Sequence, residues 1–177
     1  KTQFKNFKIP LLGEHNVRNT TAAIAIALNL GIKVQIIKKS LKNFVGVERR
    51  YNKIFSYRKV DFYDDYAHHP TEIKAVLNSV RDVYKNRKII TVFQPHRYSR
   101  INLLKDEFSS CFKLCNEVVL CPVYSAGENI DSKFNQYEFS KLISKKSNVQ
   151  VININDERDL KMFIRKNLFN NEIVICM

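Results

Sequence analysis

A chain of 177 residues with 45% hydrophobic content can bury a core and is too apolar for a disordered tail, so one domain, or one domain plus a piece of another, is expected. No apolar run approaches the roughly 20 residues that span a bilayer, and Lys1-Thr2-Gln3-Phe4-Lys5 lacks the apolar stretch of a signal peptide, so the expected location is cytoplasmic with no membrane contact. The formal charge of +13 admits a polyanionic partner, but the basic residues are scattered over every predicted helix in short doublets such as Lys38-Lys39 and Lys145-Lys146; they read as solvated surface, and nucleic acid is not expected.

Residues 1 to 12 are basic and alternating, and read as a strand or an extended lead-in. Gly13-Glu14-His15-Asn16 opens a helix running to about Leu30, rich in alanine (Ala22, Ala23, Ala25, Ala27), and Gly31 stops it in the manner of a C′ glycine. A second helix is predicted over Val34 to Phe44, left by Gly46-Val47-Glu48-Arg49-Arg50. Two helices on a short turn cannot bury themselves, so residues 1–46 are expected to be the end of a larger domain and 47–177 a second one.

From Tyr51 the pattern alternates. Strands are predicted near 52–57, 60–65, 88–93, 117–121, 149–154 and 172–176, and helices near 70–85, 99–114, 135–146 and 156–168. Such alternation implies an α/β fold, a Rossmann-like doubly wound and mostly parallel sheet with helices on both faces. The four cysteines, Cys111, Cys115, Cys121 and Cys176, form no CxxC pair; Cys111 and Cys115, one helical turn apart beside Phe108 and Phe112, read as buried thiols.

Chemistry concentrates where strands hand over to helices, because ligands of open α/β sheets bind at the carboxyl ends of strands. Asp64-Asp65-Tyr66-Ala67-His68-His69-Pro70 is the first such crossing: two carboxylates, a phenol and two imidazoles, with Pro70 in the first helical turn. The bland reading is a strand end with His69 as helix cap. A metal is not expected, since adjacent side chains diverge and no third ligand stands at metal-site spacing. The second crossing, Gln94-Pro95-His96-Arg97-Tyr98-Ser99-Arg100, puts Arg97 and Arg100 on one helical face, two planar forks matched to carboxylate or phosphate. Read as consecutive strands of one βαβ unit, both crossings open onto one edge of the sheet. A third loop, Cys121 to Glu128, offers Tyr124 and Glu128 as weaker candidates.

Four stretches in order, His15-Asn16-Val17-Arg18-Asn19, Gly46 to Arg50, Asp64 to Glu72 and Phe93 to Arg100, resemble the Mur ligases of peptidoglycan synthesis, in particular the branch that joins L-alanine to UDP-N-acetylmuramate. The resemblance implies an ATP-dependent amide ligase working through an acyl phosphate, with Mg²⁺ at the phosphates. It implies Asn16 and Asn19 near adenine, Arg50 at the ATP phosphates, Asp65 at the ribose, and Tyr66, His68, Arg97 and Arg100 on the amino-acid side, with Arg50, His68 and Arg97 closest to the chemistry. The family's G-x-x-x-x-G-K-[ST] loop has no counterpart, since the chain contains no Gly-Lys pair. A piece of the ligase is therefore expected, needing its N-terminal and central domains for activity and for most contacts to ATP and Mg²⁺, and lacking a last helix. Two alternatives stay open: a relative that attaches a recycled tripeptide, and a non-catalytic basic module in which Arg97 and Arg100 lie apart from Asp65.

Overall fold

The computed structural model describes residues 4–168 and 171–177. The chain forms two compact units, Lys1–Glu48 and Arg49–Met177.

In the first unit, residues 4–12 take no regular secondary structure, so the strand option is not realised there; residues 1–3 lie outside the described residues. Helix α1 spans Glu14–Asn29 and α2 spans Val34–Lys42, two residues shorter than expected. Gly31 ends α1 at φ 77°, where its N–H donates to the Leu28 carbonyl and that of Ile32 to the Ala27 carbonyl, a Schellman closure that a Cβ would strain.

In the second unit, β1 (Asn52–Tyr57), β2 (Val60–Asp64), β3 (Ile89–Phe93), β4 (Glu117–Leu120), β5 (Gln150–Asn153) and β6 (Ile173–Cys176) form one sheet in the order β1-β2-β6-β3-β4-β5. Only β1 is antiparallel. Helices α3 (Pro70–Val83), α4 (Tyr98–Leu103), α5 (Lys105–Ser109), α6 (Gln136–Ser147) and α7 (Glu157–Asn167) connect the strands. Alternation within β2, β3, β4 and β6 feeds two cores: Tyr63, Ile89, Phe93, Val118 and Ile175 face α3 to α6, whereas Phe62, Ile90, Val92, Val119 and Val174 pack against Phe163 and Leu168 around α7. Helices therefore cover both faces, as the alternation implied.

Two expectations need correcting. The single helix over 99–114 is broken at Leu104 (φ −113°, ψ 29°), and its second part ends at Ser109. The hydroxyls of Ser109 and Ser110 donate to the Asp106 and Glu107 carbonyls, and the Cys111 thiol to that of Phe108, competing with the backbone for the acceptors a continuing helix needs. Cys111 and Cys115 thus sit in turns, still buried, and burial pushes the Cys115 thiol up to about 11. The second correction is topological. Strands β2 and β3 are parallel but not neighbours, because β6 lies between them. The end of β6 then joins the two crossings: the Cys176 carbonyl accepts from the Asp65 N–H at 2.9 Å and the Met177 carbonyl from the Gln94 N–H at 2.9 Å.

Candidate functional site: a cationic edge at the carboxyl ends of the strands

The first crossing is built around Asp65, which is only 2% exposed. Its carboxylate accepts the Ala67 N–H at 2.7 Å and the Tyr51 N–H at 2.8 Å, while the Tyr66 N–H donates to the Arg49 carbonyl at 2.8 Å. These bonds lash residues 49–51 to the turn and stabilise Arg49 and Tyr51 at φ 56° and 53°, a region non-glycine residues rarely occupy. Burial raises the Asp65 pKa; the two N–H groups and the nearby Arg50 charge oppose it without prevailing. The Arg49 guanidinium pairs with Asp64 at 3.2 Å and lies 4.9 Å from the Tyr66 ring centroid, with Arg50 at 6.0 Å. Arg49 and Arg50 thus share one surface with the first crossing.

The two histidines divide the work. His69 is the N-cap of α3: its Nδ1 accepts the Thr71 N–H at 3.3 Å, ahead of Pro70 in the first turn. His68 Nδ1 lies 2.8 Å from the Tyr66 carbonyl. A carbonyl only accepts, so Nδ1 carries a proton, and whenever the ring is neutral its lone pair lies on Nε2; the Glu72 carboxylate lies 3.6 Å from the same Nδ1. The His68 N–H is held by Glu72 at 3.1 Å, and its ring meets Tyr66 edge-on at 4.8 Å. Among the described residues no group of three or more His, Cys, Asp or Glu is arranged to hold a metal.

At the second crossing Arg97 precedes α4 at φ 67°. Its N–H donates to the Tyr124 carbonyl at 2.9 Å and the Tyr124 N–H to the Pro95 carbonyl at 2.9 Å, a short parallel bridge to the loop after β4. Arg97 and Arg100 line an open hollow of about 420 Å³ with His69, Ser99, Leu103 and Leu104. Neither arginine is in a salt bridge among the described residues, so both forks remain available to a ligand. The His96 imidazole is held below its usual range, first by burial and then by the charges of His68, Arg100 and Arg49. Cationic groups from both crossings therefore surround one imidazole.

Of the residues expected on the amino-acid side, Tyr66, His68, Arg97 and Arg100 occupy this edge, along with Arg50 and the buried Asp65. Asn16 and Asn19 belong to α1 in the first unit, where the Asn16 amide donates to the Leu12 carbonyl at 2.7 Å. Sequence reasoning passed over His96, although it stands inside the quoted second crossing; its significance comes from neighbours on other loops, which spacing does not display.

Residues 49–177 match the family described as Mur ligase, glutamate ligase domain. The chain is similar to the UDP-N-acetylmuramate--L-alanine ligase of Pelagibacter ubique, with 53% identity over 173 residues, 98% of this chain and 37% of the relative. It is also similar in structure to the UDP-N-acetylmuramate-alanine ligase of Thermotoga maritima, with TM-score 0.78 and 27% identity over 98% of this chain and 36% of that one. A murein peptide ligase of Psychrobacter arcticus shares the fold at TM-score 0.70 and 20% identity, covering 97% of this chain and 35% of that one. The chain thus spans about a third of the length of the relatives it matches.

Proposed function

Since the chain belongs to the Mur ligase family, we propose that it forms the amino-acid-receiving part of an ATP-dependent ligase that joins L-alanine to UDP-N-acetylmuramate in peptidoglycan synthesis. The observation that carries this reading is the convergence of Arg97 and Arg100, neither in a salt bridge among the described residues, with His69 at one hollow beside the Tyr66–His68 turn. Two free guanidinium forks are a receptor for a small carboxylate, and the bidentate match gives direction as well as affinity.

In the proposed reaction the muramyl carboxylate takes the γ-phosphoryl group of ATP and ADP leaves. The L-alanine nitrogen then attacks the acyl carbon, the amide C–N bond forms and the C–O bond to phosphate breaks. Arg97 and Arg100 hold the alanine carboxylate, which fixes where its amino group points and supplies the proximity term. The amine must shed a proton before it attacks, and Nε2 of His68, when the ring is unprotonated there, is an acceptor within this turn. Arg50, exposed beside Tyr66, is suited to the ATP phosphates. Asp65 already spends both oxygens on backbone N–H groups, so in this reading a ribose contact is added to a structural task. Asn16 and Asn19 are assigned to the adenine side. The described residues do not offer a ligand set that fits Mg²⁺, and no step here is routed through it.

The test uses the complete ligase that contains this chain. Arg97→Ala should raise the KM for L-alanine, with a loss of about 2–5 kcal/mol in kcat/KM, and leave the KM for ATP and UDP-N-acetylmuramate nearly unchanged. Lysine at 97 should rescue poorly, because it offers no fork. An unchanged alanine dependence, or a defect confined to ATP, would sink the assignment.

A further inference from the structure

The carboxyl end of β4 carries a device that the proposed reading does not use. Glu128 lies in the loop after β4, yet its carboxylate reaches the first turn of α4, accepting the Ser99 N–H at 3.1 Å and the Ser99 hydroxyl. The loop is shaped to deliver it: Ala126 and Gly127 sit at φ 51° and 88°, and the Glu128 N–H closes back on the Ser125 carbonyl at 3.1 Å. A second tie, from the Asn102 amide to Asp131 at 2.9 Å, extends the seam along α4. Arg97, immediately before that turn, stands at φ 67°, strained for arginine, and its N–H is held by the Tyr124 carbonyl of the same loop.

We propose that Glu128 is a positioning residue for the carboxylate receptor: by clamping the loop after β4 onto Ser99, it maintains the strained backbone that aims Arg97 into the hollow. This rests on the reading of Arg97 as a carboxylate fork. The Glu128 carboxyl is held below its usual range chiefly by the Ser99 hydroxyl and N–H, with the Arg97 charge adding less. Glu128 and Arg97 are not in a salt bridge, so the acid steers Arg97 without occupying its fork.

The test compares Glu128→Ala, Glu128→Gln, Arg97→Ala and the double variant R97A/E128A in the complete ligase. Glu128→Ala should raise the KM for L-alanine by on the order of tenfold, the scale of a lost charge-assisted hydrogen bond, with kcat and the KM for ATP little changed. Glu128→Gln, which keeps one acceptor oxygen, should recover part of it. The double variant should be no worse than Arg97→Ala alone, because both changes act on one fork. Additive losses, an equal rise in the KM for ATP, or an unchanged alanine KM in the Glu128 variants while Arg97→Ala is impaired would overturn the positioning role. If Glu128→Ala does not fold, Glu128→Gln decides, and an unchanged alanine KM there overturns it. An unimpaired Arg97→Ala would instead remove the receptor reading, and this inference with it.

Discussion

At the scale of single residues, His96 reports on what binds beside it. Burial and the charges of His68, Arg100 and Arg49 favour its neutral form. A histidine whose folded pKa lies below its unfolded value lowers stability as pH falls past the unfolded value, about 6.5. A carboxylate placed among those cations offsets them, so the His96 pKa should rise when L-alanine binds the ligase. Imidazole resonances followed by NMR against pH, with and without L-alanine, measure this; an unmoved or lowered value contradicts a carboxylate between the arginines. The sequence placed Arg97 and Arg100 on one helical face; in the structure Arg97 precedes α4 at φ 67° and only Arg100 is helical, yet both line the hollow. Asp65 stood out in the sequence as a candidate but not as a turn anchor, since its partner, the Tyr51 N–H, is 14 residues away. Glu128 read only as a weak candidate, because its partner Ser99 belongs to a different crossing.

At the scale of elements, local pattern located the strands and most helices of the second unit, because the helices are amphipathic against the sheet while the central strands β3 and β4 are short runs buried on both faces. It did not reveal the insertion of β6 between β2 and β3, since strand order follows from long-range pairing and leaves no local trace. Nor did it show what binds the opposite edge. There Arg87 donates to Asp61 of β2 and to the carbonyls of Lys59, Asn171 and Glu172, joining the approaches to β2, β3 and β6. Burial works to raise the Asp61 pKa, but hydrogen bonds from Lys53, Ser56 and Arg87 prevail and hold it well below the usual carboxylate range. The stability this contributes is fully present above the unfolded carboxylate pKa, about 4, and is lost as pH falls below it. Asp61→Asn should therefore cost about 2–3 kcal/mol at neutral pH and weaken the acid dependence of stability. Urea unfolding at pH 7 and pH 3 checks this; equal losses in variant and parent would contradict it.

At the scale of the whole molecule, the chain covers 37% of its Pelagibacter ubique relative and contains no Gly-Lys pair of the kind that cradles ATP phosphates. The contacts proposed for Arg50 and Asp65 are few against the entropy of binding, so the 177-residue chain by itself should bind ATP no more tightly than about millimolar. It should also release no phosphate from ATP above background. Calorimetric titration showing micromolar affinity would contradict this division of labour.

The central claim is that Arg97 and Arg100 receive the amino acid rather than activate the carboxyl group. On the proposed mechanism the two steps of the complete ligase should separate when hydroxylamine replaces L-alanine, because it would capture an acyl phosphate as a hydroxamate yet has no carboxylate to be held. The most direct measurement is hydroxamate formation beside L-alanine ligation in the double variant Arg97→Ala, Arg100→Ala, with ATP and UDP-N-acetylmuramate saturating. Retained hydroxamate formation with ligation lost is the predicted result; parallel loss of both would place the arginines in the activation step and contradict the account.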